Sequence, residues 1–75
     1  MADKVTFEII KKIAVIREAN ENGWTREVNI VKWNDYEPKV DVRDWDAEHK
    51  KMSKGITMTT EEALKMAEMI MVALG

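Results

Sequence analysis

Along residues 39–45 apolar and polar side chains alternate without a slip: Val40 and Val42 fall on one side, Lys39, Asp41, Arg43 and Trp45 on the other. Successive strand side chains point to opposite faces of a sheet, so this stretch predicts a strand over 39–46 with one apolar face and one face carrying cations, an anion and an indole. Residues 24–33 repeat the pattern, setting Val28 and Ile30 against Glu27, Asn29, Val31 and Trp33. Residues 5–17 alternate over Val5, Phe7 and Ile9, slip at Ile10-Lys11-Lys12, and resume with β-branched Ile13, Val15 and Ile16. That composition favours a strand, with a bulge or bend at the slip. Phe7, Ile10, Ala14 and Arg17 also fall roughly on one helical face, so a helix over 7–17 is the competing reading.

Asn20-Glu21-Asn22-Gly23 carries turn chemistry, and so does Asn34-Asp35-Tyr36-Glu37-Pro38, whose proline is barred from a sheet interior. If the second turn closes a hairpin pairing Trp33 with Lys39, Val31 falls opposite Asp41, Asn29 opposite Arg43 and Glu27 opposite Trp45. Val28, Ile30, Val40 and Val42 then form the buried face. Asn29, Trp33, Lys39, Asp41, Arg43 and Trp45 share an exposed one. A short strand over 54–58 follows. Thr59 with Glu62 three residues later matches a capping box, opening a helix over 60–74 that Gly75 can end.

On that helix Glu61, Lys65 and Glu68 form a polar stripe, but Met69 to Leu74 is apolar all round. A small sheet covers only one side of a helix, so the surplus apolar face predicts a homodimer through Met66, Met69, Ile70, Val72 and Ala73. The pattern as a whole is α+β, a four-stranded antiparallel sheet followed by one C-terminal helix, β-β-β-β-α.

Length sharpens that expectation. A chain of 75 residues is one domain that buries only roughly 60% of its unfolded surface alone. With no cysteine it has neither disulfide nor thiolate metal site to compensate. No apolar run approaches the roughly 20 residues of a membrane span, and the N-terminus alternates charge with apolar residues, so a soluble cytoplasmic protein is expected. The net charge of −2 argues against a nonspecific polyanion binder, and leaves any nucleic-acid role to local placement.

Three features carry candidate chemistry. Trp33 and Trp45, with Lys39, Arg43 and Asn29, make a strand face suited to an unpaired nucleotide, which offers a π-face beside a phosphate; the same residues also fit cross-strand stabilising pairs under a solvated charged face. Lys50, Lys51 and Lys54 lie in a segment free of acid from His49 to Gly55; it is either a solvated loop or a phosphate contact. Trp24 has the parity of Val28 and is either core or ligand contact, and Arg26 is open in the same way. Asp41 reads as a partner that holds Arg43 or Lys39, or as an acceptor from a base edge. His49 reads as a surface residue without metal partners. No catalytic constellation, metal site or cofactor motif is recognisable.

Trp24-Thr25-Arg26-Glu27-Val28-Asn29, then Lys39-Val40-Asp41-Val42-Arg43-Asp44-Trp45, then Lys54-Gly55-Ile56-Thr57-Met58-Thr59 ahead of a helix resemble the positive cofactor 4 family of transcriptional coactivators and their small bacterial relatives, over about residues 5–72. The resemblance implies a curved four-stranded sheet dimerised through its helix, binding single-stranded DNA across concave sheet faces in preference to duplex. By position, Arg43 matches the family's arginine in that strand, Trp33 its base-stacking aromatic, Trp45 an aromatic near the strand end, and Lys54 the lysine before Gly-Ile. The Ser/Lys-rich arm of eukaryotic members has no counterpart in the sequence, so activator contacts and phosphorylation control are not expected. Two other readings stand beside DNA: RNA as the strand bound, and a protein-interaction module using the exposed sheet face, motivated by net acidity and the Met-rich helix.

Overall fold

In the computed structural model, which describes residues 5–75, four strands pair in chain order and a helix follows: β1 Phe7–Arg17, β2 Thr25–Trp33, β3 Lys39–Trp45, β4 Ile56–Met58 and α1 Thr60–Leu74. The sheet is open and antiparallel, with β1 and β4 at its edges. This is the expected β-β-β-β-α architecture. A helix over 7–17 is excluded, because β1 pairs with β2 along its length. The phase slip appears as register shifts between Ile9 and Lys11, Lys12 and Ala14, and Val15 and Arg17. Each extra residue bends and twists its strand, and the Phe7 end of β1 comes within 5.9 Å of the Trp33 ring and 5.1 Å of the Trp45 ring.

Both turns follow their local chemistry. Gly23 takes φ +82°, and the Asn20 side-chain oxygen accepts from the backbone N–H groups of Asn22 and Trp24. At the second turn Asn34 takes φ +50° and Tyr36 N–H donates to the Trp33 carbonyl, while Asn34 also ties to Thr6 of the chain entering β1. Trp33 pairs with Phe7 on the β1 side, while pairing with β3 begins only at Val31, opposite Lys39. The β2–β3 register is two residues from the expected one: Lys39 lies opposite Val31, Asp41 opposite Asn29, Arg43 opposite Glu27 and Trp45 opposite Thr25. A two-residue shift leaves every side chain on its face, so the division into two faces survives.

What covers those faces is the larger correction. The odd-numbered face was expected to lie open, yet Val31, Asn29, Asp41 and Trp45 are buried on it, with Trp45 and Asp41 at zero exposure. Phe7 and the 46–54 loop close over it. The apolar even face, with Val28, Val40 and Val42, lies under α1 across an open apolar cleft of about 520 Å³ lined also by Ile13, Leu64, Met66 and Ile70. The capping box forms as expected: Thr59 Oγ1 accepts from Glu62 N–H at 3.1 Å, and Glu62 Oε1 accepts from Thr59 N–H at 2.8 Å. No residue of α1 is buried, and Met66, Met69, Ile70, Val72 and Ala73 are all exposed. Among the described residues no helix is long and apolar enough to cross a membrane.

Candidate nucleic-acid interface

The site is built around Arg43 on β3. Its neighbour two residues back on the same face, Asp41, accepts from Nε and Nη2 at 2.7 Å each, the paired geometry a planar guanidinium makes with a carboxylate. Thr57 of β4 donates to the same carboxylate at 2.9 Å. The guanidinium carbon sits 4.6 Å from the centre of the Trp33 ring, a cation–π distance. Gly55 closes the far side, so near that a Cβ there would fall 2.4 Å from Arg43 Cβ. Arg43 is thus 12% exposed at its side chain. Trp33, at the end of β2, is half-buried, as is Phe7 beside it, whereas Trp45 is fully buried.

Trp45 does not share that role. It is fully buried between Phe7 and the His49 ring, whose centroid lies 5.6 Å away. Its expected stacking surface is therefore packed against protein. Asn29 is corrected in the same way: it is buried, and its amide donates to Glu27 at 3.1 Å.

A second cluster holds the basic loop. Glu27 is buried, and its carboxylate accepts from Thr25 Oγ1 at 2.6 Å, from Asn29, and from His49 Nε2 at 2.9 and 3.0 Å. Burial pushes the Glu27 carboxyl up, but the bonds from Thr25, Asn29 and His49, with the charge of His49, outweigh it and leave the carboxyl below its usual value. His49, expected at the surface, has a 24% exposed side chain and φ +58°. Asp46 accepts from the backbone N–H groups of Lys50 and Lys51, and these bonds, led by the one from Lys51, lower its carboxyl. Ser53 N–H donates to the Asp44 carbonyl and Met52 bridges to Trp45. The loop is stapled to the sheet, and its cations remain outside: Lys50, Lys51 and Lys54 are exposed, as is Lys39 at the start of β3.

Two candidates lie elsewhere. Arg26 pairs with Asp44 at 2.8 Å on the face of Val28 and Val42, with Arg17 on the same carboxylate at 3.2 Å. That places Arg26 across the sheet from Trp33. The Asp44 carboxyl is lowered first by the Arg26 bond. Trp24 is half-buried just before β2, its carbonyl accepting from Arg17. Phe7, Glu27, Thr57, Gly55 and His49 complete the site without having been singled out as site residues by pattern. The parity of Phe7 and Glu27 was visible; what they touch was not.

Residues 20–69 match the family described as Transcriptional Coactivator p15 (PC4). A relative from Treponema pallidum (strain Nichols), described only as an uncharacterized protein, is 35% identical over 68 residues, which cover 91% of this chain and 79% of the relative.

Proposed function

This chain belongs to the transcriptional coactivator p15 (PC4) family, and on that premise we propose that it binds single-stranded DNA as a homodimer, stacking bases at Trp33 and contacting phosphates through Lys39, Lys50, Lys51 and Lys54. The observation that carries the reading is a half-buried indole with a guanidinium over its ring, on a sheet face that is flanked by a stapled loop of exposed lysines. An unpaired base offers a π-face, and stacking contributes about 1–3 kcal/mol per base whatever the sequence. Duplex keeps those faces inside its own stack. Lysines along the path release counterions from the backbone. The role is binding and not catalysis, exercised in the cytoplasm in transcription, replication or repair.

A fluorescence titration tests it, using an oligothymidine of about 20 nucleotides and a duplex of equal length at two salt concentrations. Trp45 is sealed in the core, and Trp24 is half-buried like Trp33, so the quenching that belongs to base stacking should disappear in Trp33→Phe and persist in Trp24→Phe. Strong quenching by the single strand, weak response to duplex and marked loss with salt are the expected results. Absence of any response at low salt defeats the reading, and an oligouridine bound more tightly than oligothymidine would move it to RNA.

A further inference from the structure

We propose that Arg43 serves the stacking platform and not the phosphates: held by Asp41, it fixes the Trp33 indole in place, and whatever affinity Arg43 supplies for a single strand passes through that ring. The inference rests on the single-strand reading above and divides labour within that site.

The donor inventory of Arg43 carries the argument. A guanidinium has five N–H groups and no acceptor. Nε–H and one Nη2–H go to Asp41 at 2.7 Å, and the other Nη2–H points to Thr57 Oγ1 at 3.5 Å. The two on Nη1 point to the Ser53 carbonyl at 3.3 Å and the Met52 sulfur at 3.6 Å. All five are directed at protein. The charge is matched by a carboxylate with no exposure, and the stem is walled by Gly55. A phosphate-binding cation needs donors turned to solvent and room to reach, as the exposed lysines have, Lys50 while also pairing with Glu48 at 3.6 Å. Arg43 has neither, but its guanidinium carbon lies over the indole ring at 4.6 Å from the centroid. Asp41 and Arg43 are therefore positioning residues, acting in series on Trp33.

The test measures anisotropy of a labelled oligothymidine over a range of salt for the natural chain, Arg43→Lys, Arg43→Gln, Asp41→Asn, Lys54→Gln and Trp33→Ala, with thermal melts to establish folding. Lysine keeps the charge of Arg43 but neither forks onto Asp41 nor lies flat on a ring. Arg43→Lys should weaken binding about tenfold, in line with the loss of a base stack, while its plot of log Kd against log salt stays parallel to the natural one. Asp41→Asn should do likewise. Lys54→Gln should instead lower the slope by about 0.7, the value of one single-strand phosphate. In a Trp33→Ala background Arg43→Lys should cost nothing further.

Unchanged affinity in Arg43→Lys overturns the inference. So does an undiminished cost in the Trp33→Ala background, or a slope lowered by about 0.7 in Arg43→Gln. Loss of folding in both Arg43→Lys and Asp41→Asn would make the pair a structural element alone, and overturns it too. Failure of the natural chain to bind at all would instead remove the single-strand reading beneath it.

Discussion

At Gly55 the chain runs so close to β3 that an added Cβ would lie 2.4 Å from the Val42 carbonyl oxygen and equally near Arg43 Cβ. One of those atoms is backbone, so the contact cannot be relieved by a rotamer change. Gly55→Ala should cost about 1–3 kcal/mol of stability, the range for overpacking a tight site, read as a lower urea midpoint with unchanged m-value. Because the same methyl presses on Arg43, affinity for a single strand should fall as well. The individual residues of the site were legible where chemistry is local: Asp41 beside Arg43 on one strand face is a partner two positions away, and the exposed lysines of the 46–54 loop follow from a segment without acid. Trp33 and Trp45 were not separable, since both have the parity of the same face. Only the arrival of Phe7 from one side and His49 from the other buries Trp45 and leaves Trp33 half open.

Among the elements, the 46–54 loop is held by the least obvious device, a buried carboxylate on β2 that His49 reaches across the sheet. The folded Glu27 carboxyl lies below its usual value, so it contributes stability that is present above the unfolded pKa of about 4.3 and is lost as pH falls through the folded value. The groups facing it are Thr25, Asn29, His49 and, opposite in register, Arg43, which Asp41 already occupies. Glu27→Gln should lower stability near neutral pH by about 1–3 kcal/mol, the cost of an impaired buried network. The deficit should shrink as pH falls below the ordinary carboxylate range and through the lowered folded value, where the natural carboxyl takes up its proton. Denaturant melts at pH 7 and pH 3 check this; an equal deficit at both would show that Glu27 acts by packing alone. The element pattern itself was readable from the chain because the signals are short-range: alternation for β2 and β3, the Thr59–Glu62 box for α1, the slip that becomes the β1 bulges. The hairpin register was not, because Tyr36 N–H donates to the Trp33 carbonyl in the turn and pairing with β3 begins only at Val31, opposite Lys39. His49 carried no signal at all, since its partner is 22 positions away.

Taken whole, the molecule is a slab of 47 × 32 × 18 Å, a single sheet with one helix leaning over it across an open apolar cleft. Leu64, Met69, Ile70, Met71, Val72 and Leu74 stay exposed on α1, and Ile10, Ile13, Val15 and Ile16 on β1. A stable dimer needs about 800 Å² from each partner, and exposed apolar side chains concentrated on one helix are what such a face would draw on. The proposed dimer would lay a second copy's helix along the first, against the cleft and the surplus. Ile70, which lines the cleft and is about half exposed, is the position at which to break it. Ile70→Glu places a charge in that contact without removing any buried side chain from the single chain, so it should sediment as a monomer at concentrations where the natural chain is a dimer. The consequence for binding follows from linkage of two strand faces. A strand long enough to reach both gains from the effective concentration of the second site, whereas one too short to bridge them does not. Ile70→Glu should therefore lose affinity about tenfold or more for a long oligothymidine and much less for a short one. Equal losses for both lengths would place Ile70 in the fold of the single chain, and a natural chain that sediments as a monomer would remove the dimer altogether.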